Sequence, residues 1–190
     1  MEPNTMGSLV SVCLGLGLAA ACGFRVFVPL LAVNLAARAG YLSLGAGFDW
    51  IAGGPALVTL TAATLLEIGA YYIPWLDNLL DTVASPAAVV AGVVVTASVV
   101  TGLDPYLKWT LAVIAGGGVA GAVQTLTSGT RHASAVTTAG LANPVVSTVE
   151  LAGSAGLSLL SMALPVLAAA LVLFLLAWTG HRLFARPSRT

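Results

Sequence analysis

The chain has 190 residues, of which 58% are hydrophobic and only 7% charged. Soluble domains carry about 25% charged residues, so the composition excludes a water-soluble globular domain and points to an integral membrane protein. Seven basic residues cancel seven acidic ones, and no block of like charge points to nucleic acid or to a membrane-surface role.

Apolar runs broken by Gly, Pro, Asn or a charge predict an all-α membrane protein of about eight short helices. Their expected limits are about 8–22, 25–39, 55–73, 86–101, 108–126, 131–142, 145–162 and 165–183. In the first, Leu18-Ala19-Ala20-Ala21-Cys22 faintly resembles a lipoprotein cleavage box. The residues before it include Glu2 and no Lys or Arg, so the segment reads as a first membrane helix and not as a signal. Cys13 and Cys22 point in different directions on that helix and read as small packing residues. A full span needs about 20 residues. Helices 1, 2, 4 and 6 fall short of this, so the pairs 1–2 and 5–6 read as broken or re-entrant hairpins with Gly23 and Gly129 near their tips. Gly15, Ala19 and Gly23 form one ladder of small residues, and Gly117 and Gly121 another, at the spacing that lets helix backbones approach. The run Gly116-Gly117-Gly118 is not a phosphate loop, because no lysine or strand accompanies it.

Landmarks recur in the two halves. Gly23-Phe24-Arg25 is followed by Pro55 and Glu67, and Gly129-Thr130-Arg131 by Pro144 and Glu150. A second proline, Pro86 or Pro165, then opens an alanine-rich helix. Residues 1–104 and 105–190 therefore read as two pseudo-symmetric repeats, parallel or inverted according to whether every element crosses. His181, Arg182, Arg186 and Arg189 predict a cytoplasmic C-terminus. With eight spans the N-terminus is cytoplasmic too, Arg38 and Lys108 fall inside, and Asp77 and Asp81 fall outside. The expected location is the bacterial inner membrane.

A charge at the bilayer centre costs roughly 3 kcal/mol on insertion scales, so Arg25, Glu67, Arg131 and Glu150 are either used or paired. Each arginine follows a glycine segment at an expected helix junction, where free N–H groups and a guanidinium fork suit an anion. Each glutamate has a hydroxyl three residues earlier, Thr64 or Ser147, on its own helix face. If they are structural pairs, Arg25 is expected to meet Glu67 or Glu150, and Arg131 the other. The candidate substrate or ion pathway is Arg25, Glu67, Arg131, Glu150, Asn143 and Asp77. Asn143-Pro144 also reads as a helix opening, and Asp77 with Asp81 as a solvated helix end. His132 beside Arg131 is a lone histidine and no metal ligand set. No cofactor, metal or nucleophile with a base is apparent, so an enzyme is not expected.

At these residues the chain resembles a bacterial membrane family known as domain of unknown function 4126. The stretches that carry the resemblance are Ala20-Ala21-Cys22-Gly23-Phe24-Arg25-Val26-Phe27-Val28-Pro29-Leu30-Leu31, then Leu66-Glu67-Ile68, Ile73-Pro74 and Asp77. Gly129-Thr130-Arg131, Leu141-Ala142-Asn143-Pro144-Val145-Val146-Ser147 and Glu150 complete the set. The chain departs from the family pattern where Tyr71-Tyr72 replaces a frequent Asp-Lys and where Leu151 follows Glu150 in place of an acidic residue. The resemblance implies no activity.

The reading these features support is a small transporter or channel in the lipid bilayer, with the four charges lining a central site. Its substrate is a small anion, an anionic lipid headgroup, or a cation exchanged for protons. The alternatives are a membrane scaffold or partner subunit with structural ion pairs and, third, a lipid-modifying enzyme. A bundle this small is also expected to form a homodimer.

Overall fold

A computed structural model describes residues 5–138 and 141–184, with the side chains of 5, 74–81, 183 and 184 left aside. The described elements are helices joined by short turns: α1 (Thr5–Phe24), α2 (Phe27–Arg38), a 3-10 turn (Asp49–Ala52), α3 (Gly54–Ala70), α4 (Pro74–Val99), α5 (Pro105–Leu111), a π turn (Ala112–Gly117), α6 (Gly118–Thr138), α7 (Asn143–Ala163) and α8 (Pro165–Phe184). Five stretches are long and apolar enough to cross a membrane, while α2 and α3 are shorter apolar helices.

Three expectations change. The helices read at 108–126 and 131–142 are one continuous helix of 34 residues, Pro105–Thr138, so no hairpin tip lies at Gly129. The polar stretch that read as a break is absorbed by the helix itself: the hydroxyls of Thr125, Thr130, Thr137 and Thr138 donate to carbonyls one turn earlier. Likewise α4 begins at Pro74 and runs through Pro86, which costs the helix one internal hydrogen bond without ending it. The first junction does exist, but the break falls at Arg25-Val26. Gly23 lies inside α1 against α6, where an added Cβ would meet the Val123 Cβ at 2.5 Å and the Ala120 carbonyl at 2.6 Å.

The bundle is built around α1, which packs against α4, α6, α7 and α8. Leu18, Val33, Ile51 and Val95 fill the core between α1, α2, the 3-10 turn and α4. Packing is closest through small residues. Added Cβ atoms at Gly92 and Gly116 would each meet the other helix's backbone at 2.7 Å, so α4 and the π turn touch backbone to backbone.

Contacts fix the helix directions. Ser11 meets Thr101 and Gly15 meets Thr96, so α1 and α4 are antiparallel. Ser154 donates to the Ala21 carbonyl and Gly17 abuts Ser161, so α1 and α7 are antiparallel too. Gly17 also abuts Ala168 while Ala20 clusters with Val172, so α1 and α8 run the same way. The described ends of the chain therefore lie at opposite ends of the bundle, where a count of eight spans put them together. The odd number of helices, caused by the continuity of Pro105–Thr138, is the reason.

Candidate functional site

The charged residues meet at one end of the bundle. Arg25 stands between α1 and α2, Glu67 near the end of α3, Arg131 on α6 and Glu150 on α7. Arg131 lies about two turns, or roughly 10 Å, before the end of α6, and Glu150 about as far after the start of α7. All four are buried, at 2%, 7%, 1% and 4% exposure for Arg25, Glu67, Arg131 and Glu150.

Both arginines reach the same carboxylate. Arg25 Nη2 stands 3.5 Å from Glu150 Oε2, and Arg131 Nε stands 3.4 Å from Glu150 Oε1. Arg25 Nη2 also donates to the Ser147 carbonyl at 2.9 Å. Glu67 has a different duty. Its carboxylate accepts the backbone N–H of Val26 at 2.7 Å and of Phe27 at 3.1 Å, and so caps α2. The expectation of an anion at a helix N-terminus beside Arg25 is met by the protein's own glutamate. An N–H pair that no side chain of α2's own N-terminus caps would otherwise be orphaned.

Tyr71 completes the cluster and was not among the sequence-derived candidates. Its ring, buried to 3% exposure, faces the Arg25 guanidinium at 3.9 Å and that of Arg131 at 4.4 Å. Two cations over one ring draw on its quadrupole and hold the guanidinium planes. The signal was present: Tyr71 follows Glu67 by four residues, on the same helix face.

Polar capacity around the cluster is left over. Arg25 Nε and Nη1, Thr64 Oγ1 and Ser147 Oγ are buried and make no hydrogen bond among the described residues. The buried residues of α7 are Asn143, Ser147, Glu150, Ser154, Ser158 and Ser161, a wholly polar inner face. Asn143 belongs to this face at the helix start. Asp77 lies in the first turn of α4, and its side chain is outside the described residues, as is that of Asp81. His132 turns away from the cluster to the Ser128 carbonyl on an exposed face. Among the described residues no three His, Cys, Asp or Glu side chains gather into a metal-holding group.

The recurring landmarks are carried by unlike elements. Between Arg25 and Glu67 lie α2 and the 3-10 turn, while Arg131 and Glu150 are on consecutive helices.

The family model described as Domain of unknown function (DUF4126) matches residues 12–185. The chain belongs to this family. Comparison with the curated proteins and with the solved structures finds no match. The matched span includes every residue of the Arg25–Glu67–Tyr71–Arg131–Glu150 cluster, so the buried charges belong to the family's domain and not to an appendage.

Proposed function

We propose that this DUF4126 protein is a small membrane transporter or channel whose ion site is the cluster of Arg25, Glu67, Arg131 and Glu150. One observation carries the reading: four charges from the α1–α2 junction, α3, α6 and α7 face one another in a buried cluster with polar capacity to spare. For stability alone an apolar core does as well, because replacing buried ion pairs by well-packed apolar residues is often neutral or stabilising. Charged groups inside membrane bundles mark substrate and ion paths. The two halves, 1–104 and 105–190, then supply one arginine and one glutamate each.

Lipid covers the outer faces, where Val145, Val149, Leu159, Leu167 and Phe174 are exposed. The basic residues from Arg182 onward favour a cytoplasmic C-terminal end, which puts the charge cluster nearer the cytoplasm and the Thr5 end on the far side of a bacterial inner membrane.

A second reading, a membrane scaffold with structural ion pairs, is favoured by the cap that Glu67 gives α2. Purified protein in liposomes, assayed for flux of formate, nitrate, chloride, potassium and protons, decides. Flux that is lost with Arg131→Gln supports the transport reading. Absence of flux for every ion leaves the scaffold.

A further inference from the structure

We infer that the groove between α1, α6, α7 and α8 holds one acyl chain of an anionic phospholipid, whose phosphate pairs with Arg182 at the end of α8. The inference takes up the membrane placement proposed above and needs neither transport nor the charge cluster.

The groove has a volume of about 550 Å³, within the roughly 300–1,000 Å³ of small-molecule sites. Ala20, Val123 and Val172 pack together at its base. Two glycines of α7 leave the room. Among the described residues a Cβ built at Gly156 meets nothing within 4 Å, and one at Gly153 meets the Phe24 ring at 3.9 Å. The hydroxyls on the wall are already spent. Thr127 donates to the Gly23 and Gln124 carbonyls, Thr130 to that of Leu126, and Thr179 to those of Leu175 and Leu176. Among the described residues none that lines the groove carries a charge. Such a wall suits a hydrocarbon chain and would strand the polar groups of a sugar or a peptide.

Length and charge name the occupant. The wall runs from Ala152 to Leu160 on α7 and from Leu171 to Thr179 on α8, roughly 12 Å on each helix. Half of a bilayer's hydrocarbon core is about 15 Å thick, so the groove matches one chain of one leaflet. A docked helix would run the whole depth of about 30 Å, past both ends of the groove. The cation stands at one end only. Trp178 lines the groove, and the Arg182 guanidinium lies 5.2 Å from the centre of its ring. His181 shares this last turn of α8 with Arg182, and both are exposed. Tryptophan sits at the membrane–water interface, and an arginine at a helix end reaches up to it. A chain laid along Leu171 and Leu175 with its glycerol end at Trp178 therefore brings its phosphate to Arg182. The guanidinium fork fits the two free oxygens of a phosphodiester.

The test is native mass spectrometry of the full-length protein in detergent, titrated with dioleoyl phosphatidylglycerol and with dioleoyl phosphatidylcholine. Wild type should bind one phosphatidylglycerol per chain, about fivefold tighter than phosphatidylcholine, the advantage one arginine gives an anionic lipid. R182Q should erase that preference and leave phosphatidylcholine binding as it was. G156L fills the groove and should weaken both lipids about tenfold or more, as for about two methylenes kept from burial. At one lipid per chain, phosphatidylglycerol with brominated acyl chains should quench a part of the tryptophan fluorescence that W178F lacks. This comparison carries the test if G156L does not fold. Equal affinity for the two lipids in wild type, undiminished binding in G156L, or the same quenched intensity in W178F overturns the proposal. Dimers lost in G156L while lipid binding persists would mean that a second copy covers the groove, and overturn it as well. A chain recovered from cells without detergent overturns it together with the membrane placement. A chain that needs detergent and binds neither lipid overturns it alone.

Discussion

The carboxylate of Glu67 accepts the backbone N–H of Val26 at 2.7 Å, across 41 positions of sequence. A side chain near the end of one helix thus starts another. The two glutamates that look equivalent in the sequence do different work: Glu67 anchors backbone, and Glu150 answers two arginines.

Glu67→Ala should therefore loosen the start of α2. The expected cost is about 0.5–2 kcal/mol, the range for loss of a helix cap. Hydrogen exchange should speed up at the Val26 and Phe27 amides, and Glu67→Gln, which keeps an acceptor, should change them less. Unaltered exchange in the alanine variant would show that the cap is dispensable.

Glu150→Gln removes the counter-charge of two buried cations. Breaking a buried pair costs about 3–5 kcal/mol, so the melting temperature in detergent should drop well below that of wild type. Adding Arg131→Gln restores the charge balance and should recover part of the loss. A double variant no more stable than the single one would argue that the charges do not offset each other.

Tyr71 should matter for its ring and not for its hydroxyl. Tyr71→Phe keeps the surface under Arg25 and Arg131 and should melt close to wild type. Tyr71→Leu removes it, with an expected loss of about 2 kcal/mol for desolvated cation–π contact. Equal melting of the two variants would refute a ring-based role.

Gly23 and Gly129 occupy like places in the sequence and unlike places in the fold. Gly23→Ala puts a Cβ 2.5 Å from that of Val123 and should cost about 1–3 kcal/mol through overpacking. Among the described residues nothing lies within 4 Å of a Cβ at Gly129, so Gly129→Ala should stabilise α6 by about 0.5–1 kcal/mol. Thermal unfolding of both variants checks the contrast, and a destabilised Gly129→Ala would mean that α6 does not continue through this position.

Much of the site was legible because desolvation of charge is a one-body argument. The cost of burying Arg25, Arg131, Glu67 and Glu150 follows from their apolar surroundings in sequence alone, and it predicts that they cluster. Which carboxylate meets which arginine was not legible, because that depends on helix directions and depth. The helices at 145–162 and 165–183 were found nearly to the residue because Pro144 and Pro165 mark their starts. The break expected at Gly129 failed for a physical reason: threonine hydroxyls satisfied within their own helix cost it little. A hydropathy-based reading scores those residues as polar and sees a gap. Tyr71 was missed because an aromatic in an apolar run carries no cost that demands explanation.

The sharing of Glu150 also sets a timetable for biogenesis. Arg131 and Glu150 are on consecutive helices, so in a membrane-inserted chain this cation and anion would enter the bilayer as one neutral hairpin. Arg25 stands at the α1–α2 junction, and its carbonyl acceptor on Ser147 is made 122 positions later. Chains are synthesised from the N-terminus at about 5–20 residues per second, so for several seconds the nascent protein holds an arginine whose final counterion does not yet exist. During that interval Glu67 is the only one of the two glutamates available to it. A ribosome-bound fragment ending before α7 should accordingly be the species most exposed to membrane quality control, and the arrival of α7 the step that releases the chain from it.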